Sequence, residues 1–410
     1  GSFSSYITVF DESEAYVGDH VDLGRQRIST KFLFGDANGL TPEHPLWEQI
    51  AELKGRPQFE KRRQHGMQQV VKTFARAARQ RCEDGDVPLE IKGIGLSVPA
   101  AWTLDEEAEY SRLLKEAFSK EGRMMRQAAN RICFHTEVEA MAHFLMGTPR
   151  YKREVVFGDK DAMTLLLDFG GHSMNGCAFM TRRRGKHGTD VAFFRASEPF
   201  GIGGGTEHWE AYVNDLCTNY VRENYGASFE LSQEVRSVLL YRFHEAVMQM
   251  DCGKFRPMVL RAEGIEDDIY DHIEVKIPDP ESEQMFLKAL GGPLELARQS
   301  ISQLGREYPG SKDSGLRVLV SGGSPRSEII KACIRRCCAD AGLESPQFIH
   351  EEMGKLGYVP RRFLHMTSKA HQSHEIYMTD PTSLWTLTAP STLPEEQQLL
   401  EPKTCPSGIF

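Results

Sequence analysis

The chain lacks any apolar run longer than a β-strand, so no stretch of its sequence is a candidate membrane-spanning helix. It lacks a CxxC pair. Its nine cysteines are scattered, with only Cys337 and Cys338 adjacent, which argues against a zinc site and reads as free thiols in a reducing compartment. It lacks an excess of positive charge: a net charge of −9 disfavours a general nucleic-acid binder, because duplex phosphates call for a basic face. The one basic cluster, Arg182-Arg183-Arg184-Gly185-Lys186-His187, falls where a solvated hairpin tip is expected. Low-complexity segments and short-period repeats are absent too, and the first residues are Gly1-Ser2 rather than Met.

What is present is an ordinary globular composition, 40% hydrophobic and 26% charged, in 410 residues, a length that suggests two or more lobes. Residues 4–10 and 28–34 are rich in β-branched and aromatic side chains and read as strands. Residues 46–82 are mostly helical, and residues 92–98 form a short buried strand closed by Pro99. Thr103, followed by Asp105, Glu106 and Glu107, reads as the N-cap and acidic first turn of a helix. A strand over 129–134 leads into a helix over 137–146. Strands are expected at 163–167, 177–181, 191–195, 272–277 and 317–320, and helices at 206–216, 231–252, 282–305 and 326–341. Beyond Pro360 the chain is polar and reads as a peripheral tail.

Three glycine turns punctuate this pattern. In the first, the strand Leu165-Leu166-Leu167 ends in Asp168-Phe169-Gly170-Gly171-His172-Ser173. Paired glycines let successive N–H groups converge on an anion, and a carboxylate at a strand end can hold Mg²⁺ through water. The same residues also make an ordinary Gly-Gly hairpin. The second turn, Gly201-Ile202-Gly203-Gly204-Gly205-Thr206, opens a helix, which suits an anion but equally a flexible loop with Thr206 as N-cap. The third, Val320-Ser321-Gly322-Gly323-Ser324-Pro325-Arg326, turns a buried strand into a helix. Arg326 there can stack on a purine or cap a neighbouring carboxylate.

Taken in this order, the turns resemble the actin-like ATPase superfamily, and most of all the nucleotide-binding part of the seventy-kilodalton heat-shock chaperones. Asp168-Phe169-Gly170-Gly171-His172-Ser173 is similar to that family's second phosphate motif, Asp-Leu-Gly-Gly-Gly-Thr, and Val320 to Arg326 to its adenosine motif. Thr136-Glu137-Val138-Glu139-Ala140-Met141-Ala142 resembles its connecting helix, whose small residues suit two helices crossing closely, and Glu351 to Gly357 its last core helix. The resemblance implies an α/β fold of two duplicated ribonuclease H-like lobes with a nucleotide cleft between them. Lobe I is expected over 1–150 with a helical insertion at about 35–90, and lobe II over 151–360 with an insertion at about 225–310. It further implies ATP or ADP with Mg²⁺ as ligand, Asp168 holding the metal through water and Glu137 orienting the attacking water. Gly170, Gly171, His172, Ser173, Gly203, Gly204, Gly205 and Thr206 would cradle phosphates, and Gly322, Gly323, Ser324 and Arg326 the adenosine. A protein client or co-chaperone is the implied partner, and the cytoplasm or nucleus the implied location; nucleic acid and membrane are not expected. Residues 361–410 are too few for the family's peptide-binding half.

Departures from the family pattern keep two other readings open. The strand and aspartate of the first phosphate loop are not among these residues, and Gly1 to Tyr6 read as the remains of its turn. Asn175 stands where an aspartate is usual, and His172-Ser173 replaces Gly-Thr. A pseudo-ATPase serving as a binding module fits these changes. A small-molecule kinase on the same fold is the less favoured alternative, for want of a base motif. Lys254 is read as a surface lysine at a helix end.

Overall fold

The computed structural model describes residues 6–7, 28–29, 41–61, 63–66, 68, 69, 72, 94–100, 102–147, 162–184, 190–227, 231–250, 255–263, 272–308 and 316–349. The chain is an α/β protein. Two short strands, β1 (Tyr6–Ile7) and β2 (Ile28–Ser29), pair antiparallel, and helix α1 (Trp47–Gly55) follows. Strand β3 (Ile94–Val98) leads through Pro99 and Ala100 to α2 (Leu104–Ser119). The Thr103 side chain accepts from Glu106 N–H at 3.3 Å, as its reading as N-cap predicts, and the Glu106 carboxylate in turn accepts from Thr103 N–H at 2.6 Å, which completes a reciprocal cap. After α3 (Arg123–Ala129), strand β4 (Ile132–Thr136) pairs parallel with β3 and runs without a break into α4 (Glu137–Gly147).

The remaining elements build around one six-stranded sheet. Strands β5 (Ala162–Phe169), β6 (Ser173–Arg184), β7 (Asp190–Arg195) and β8 (Phe200–Gly203) precede α5 (Thr206–Tyr225) and α6 (Gln233–Gln249). A separate hairpin, β9 (Met258–Glu263) with β10 (His272–Ile277), leads into the long helix α7 (Asp279–Glu307). Strand β11 (Leu316–Ser321), a 3₁₀ turn (Ser324–Arg326), α8 (Glu328–Asp340) and β12 (Gln347–Phe348) complete it. The strand order is β12-β11-β5-β6-β7, with β8 also on β6. Strands β11 and β12 run parallel to β5, whereas β6 is antiparallel to β5, and β7 and β8 are antiparallel to β6.

Side-chain parity along the sheet decides what each face does. Met163, Leu165, Leu167 and Phe169 of β5, Met174 and Ala178 of β6, and Leu316, Val318 and Val320 of β11 point into the main core, built with α5 to α8. The residues between them face the other way: Leu166, Cys177, Phe179 and Leu319 meet Val138, Ala142 and Leu145 of α4. The sheet is thus buried on both faces, which is why β5 reads as a continuous apolar run rather than an alternating one.

Several boundaries differ from the sequence reading. The strand expected at 129–134 begins at Ile132, because Arg123–Ala129 closes a short helix first. Phe200–Gly203, read as part of a loop, is a strand, since it can hydrogen-bond to the far side of β6. Of the basic cluster, Arg182, Arg183 and Arg184 lie within β6, opposite Ala192, Val191 and Asp190, so the strand extends through half of the expected hairpin tip. Strand β9 was not anticipated. The small residues of α4 cover the sheet; the helix expected from Glu351, Lys254 and the tail beyond Pro360 lie outside the described residues.

At the end of β11, Gly322 has φ of +99°, and a Cβ there would collide with the Phe169 carbonyl at the end of β5. Gly323 sits in a right-handed helical conformation with open space where a Cβ would go. Gly322→Ala is therefore expected to cost about 2 kcal/mol or more, through left-handed backbone strain plus displacement of Phe169. Gly323→Ala should change stability by no more than about 0.5 kcal/mol. Urea unfolding of the two variants checks this, and equal midpoints would contradict it.

Candidate functional site

The first part of the site follows from the parity just described. Asp168 and Asn175 lie on the α4 side of the sheet, the side of Leu166 and Cys177, and they are register partners across the β5–β6 hairpin. Ser321 of β11 is the partner of Asp168 on its other side, and Gly201 of β8 is the partner of Asn175. This places Ser321, Asp168, Asn175 and Gly201 in a row at one end of the sheet, with Asp168, Asn175 and Ser321 all buried. Glu137, the first residue of α4, reaches the same row: its Oε2 accepts from Asn175 Nδ2 at 2.7 Å. Its neighbour Glu139 is engaged elsewhere, accepting from Thr136 N–H at 3.1 Å and from Arg195 at 3.0 Å. Burial pushes the Glu139 carboxyl up, but these bonds outweigh it and hold the group below the usual range.

The second part is the meeting of the three glycine turns. Gly170 N–H donates to Ser173 O at 2.9 Å and closes the β5–β6 hairpin. The turn that follows β8 docks onto it: Gly204 N–H donates to His172 O at 2.9 Å and Glu207 N–H to Gly171 O at 2.8 Å. The third turn joins through Ser324, whose Oγ donates to Gly170 O at 2.6 Å. With that proton committed, Ser324 Oγ is the acceptor for Thr206 Oγ1, 3.2 Å away. All three turns predicted to act together are therefore in mutual contact, in a cluster containing Gly170, Gly171, His172, Ser173, Gly203, Gly204, Gly205, Thr206, Gly322 and Ser324.

Close approach explains the glycines here. A Cβ on Gly205 would collide with the carbonyl oxygens of Gly170 and Gly171. Beneath the second turn, Pro293 lies inside α7 and has no N–H to give the Ala289 carbonyl four residues back. Gly204, with φ of +126°, packs against that carbonyl; a Cβ on it would lie 2.6 Å away. The cluster's own bonds occupy the N–H groups of Gly170, Gly204 and Glu207. Those of Gly171 and Gly205 have no acceptor among the described residues. Thr206 is the first helical residue, and the N-cap is Gly205, with no side-chain cap, so the reading of Thr206 as N-cap is corrected. Gly323 and Arg326 are exposed at the outer edge of the third turn, with Arg326 N–H donating to Gly323 O at 3.2 Å.

A buried histidine cluster, which the sequence reading missed, backs the first turn. His44 lies 4.9 Å from His208 between ring centroids, and His208 lies 5.4 Å from His172. His208 Nε2 is 3.0 Å from His172 O, so Nε2 carries the proton and donates. Tyr212, one helical turn after His208, packs tilted against His44 with ring centroids 5.2 Å apart, with Lys288 above it at 5.6 Å. The i, i+4 spacing of His208 and Tyr212 was visible on α5; His44, far upstream, carries no local signal. Burial pulls His44 down to about 4, and burial together with the neighbouring His44 pulls His208 down to about 3. Among the described residues no group of three or more His, Cys, Asp or Glu could hold a metal ion directly, and no helix is long and apolar enough to cross a membrane. The six described cysteines are free thiols.

Both histidines are neutral in the fold and take protons near 6.5 once unfolded, so their stabilising effect is complete above pH 6.5. It is lost as the pH falls from 6.5 towards 4, by up to about 1.4 kcal/mol per pH unit for each group. Denaturant midpoints measured from pH 7.5 to 4.5 should fall accordingly. His44→Asn keeps an acceptor for Leu46 N–H, which His44 Nδ1 now provides at 3.1 Å, and should flatten that slope. An unchanged slope in this variant would remove His44 as a cause. Among known proteins, the chain matches no family model and no curated relative.

Proposed function

We propose that this chain binds ATP or ADP with Mg²⁺, as a divergent relative of the chaperone ATPases of actin-like fold. The observation that carries the reading is the meeting of the three glycine turns at the strand ends where Asp168 and Glu137 share one face. The sheet supports it. With β8 and the β9–β10 hairpin set aside and the remaining strands numbered from β5, its order is 5-4-1-2-3 with strands 1, 4 and 5 parallel, the order expected of a ribonuclease H-like lobe over 151–360. The parallel pair β3–β4 running into α4 would be the end of the matching lobe over 1–150.

The residues fit the group in their chemistry. The N–H groups of Gly171 and Gly205 are donors in want of an acceptor, and a phosphate would provide one. Ser173 adds a hydroxyl, and the mostly buried carboxylate of Asp168 suits a hydrated Mg²⁺. Bound there, Mg²⁺ neutralises charge on the phosphate oxygens. Glu137 would orient a water, and Gly322, Gly323 and Arg326 would line the adenosine. A protein client or co-chaperone is the partner this reading implies.

One observation favours binding without turnover: Asn175 and His172-Ser173 stand where the family pattern has an aspartate and Gly-Thr. Titration calorimetry with MgATP and MgADP tests the main reading, which is lost if neither gives heat. Asp168→Ala should weaken MgATP binding about tenfold or more while affecting metal-free ADP less. Phosphate release that Glu137→Gln abolishes would establish turnover; binding without release would establish the non-hydrolysing form.

A further inference from the structure

We propose that Asn175 is a positioning residue: its amide aims the Glu137 carboxylate at the Asp168 end of the sheet and ties the β3–β4 unit to that sheet. The inference deepens the nucleotide reading, on which the role of Glu137 rests, but the contact itself stands without any ligand. The orientation of the amide is determined by its partners. Ala100 N–H, just after β3, lies 2.9 Å from Asn175 Oδ1 and can only donate, so the oxygen must face it. The amide nitrogen then faces Glu137 Oε2 at 2.7 Å and Ser173 Oγ at 3.3 Å. Gly201, the register partner of Asn175, leaves the room: a Cβ there would lie 2.7 Å from Oδ1.

An aspartate at this position would satisfy Ala100 equally well. Its second oxygen, however, would lie at hydrogen-bond distance from the Glu137 carboxylate, with Asp168 as register partner beside it. The aspartate and Glu137 would have to share a proton in the field of Asp168, which faces position 175 in the parent and in every variant alike. Asparagine is the isostere that gives an acceptor to one partner and a donor to the other. Only 1% of its surface is exposed, so water has little access to replace either bond. The amide thus joins β6 to two other pieces of chain, at Ala100 and Glu137, and sets where Glu137 points.

The experiment is a pH series of thermal unfolding on the full chain without nucleotide, for the parent, Asn175→Asp, and Asn175→Asp combined with Glu137→Gln. In the single variant the melting temperature should drop between pH 5 and pH 8 by about 3 °C or more beyond any drop in the parent, as the shared proton is lost. The double variant exchanges donor and acceptor between the two positions and should return to the parent's pH profile. A merely space-filling role would give the single variant a loss independent of pH. That result, or a double variant no better than the single one, overturns the proposal. If the single variant does not fold, recovery of folding in the double supports the proposal and failure of both counts against it. MgATP titration of the parent, run alongside, reports on the nucleotide reading separately. Absence of binding with the pH signature intact would remove that reading and leave the positioning role in place.

Discussion

The backbone contact between the turns after β5 and β8 constrains much of this structure. Gly205 lies so close to Gly170 and Gly171 that no side chain fits between them, and two main-chain hydrogen bonds, from Gly204 and Glu207, hold the approach. That contact sets where α5 begins, and α5 carries Trp209, Val213, Cys217 and Val221 into the main core. The long helix α7 passes under the same spot, with the Ala289 carbonyl and Pro293 against Gly204, and Ser324 brings the end of β11 to it. An error of an ångström in this junction would propagate into the packing of α5, α7 and β11 together, because close-packed interiors have few voids to absorb it.

The chemistry of the site depends on a simpler rule, the two-residue repeat of a strand. Because Leu165 and Leu167 face the main core, Asp168 must face α4; because Met174 and Ala178 do, Asn175 must face it too. A slip of one residue by β6 against β5, which β11 holds in place, would bury Asn175 in the main core and turn Met174 out of it. The capping arrangement at Thr136 starts α4 at the residue that meets them. Helix start and strand parity together bring Glu137 and Asn175, far apart in the chain, into hydrogen-bond contact.

The glycines show how a correct position can be legible for a reason that structure enlarges. In the sequence they read as room for an anion. In the fold, the space at Gly171 is taken by the Glu207 side chain, at Gly204 by α7, at Gly205 by the first turn and at Gly322 by Phe169. Internal packing alone accounts for these four, so their presence marks the junction and bears less directly on a ligand than the Gly171 and Gly205 N–H groups, which have no acceptor among the described residues. The histidine cluster was invisible for the complementary reason. His44 and His208 belong to segments with no shared periodicity, and only docking of the 41–46 turn onto α5 makes them neighbours.

By itself the sequence determined the elements: apolar runs and glycine breaks located β5, β6, β10 and β11, and Thr103 with the acidic residues after it located the start of α2. These are local properties, governed by side-chain periodicity and by hydrogen bonds within a few residues. Tertiary structure alone decided that Phe200–Gly203 is a strand, since its partner is β6, and that the N–H groups of Gly170 and Gly204 are occupied by the protein itself. It also decided that Asn175 donates to Glu137. Each of these depends on which distant backbone or side chain comes within about 3 Å, and hydrogen-bond geometry at that range is set by the packing of the whole sheet.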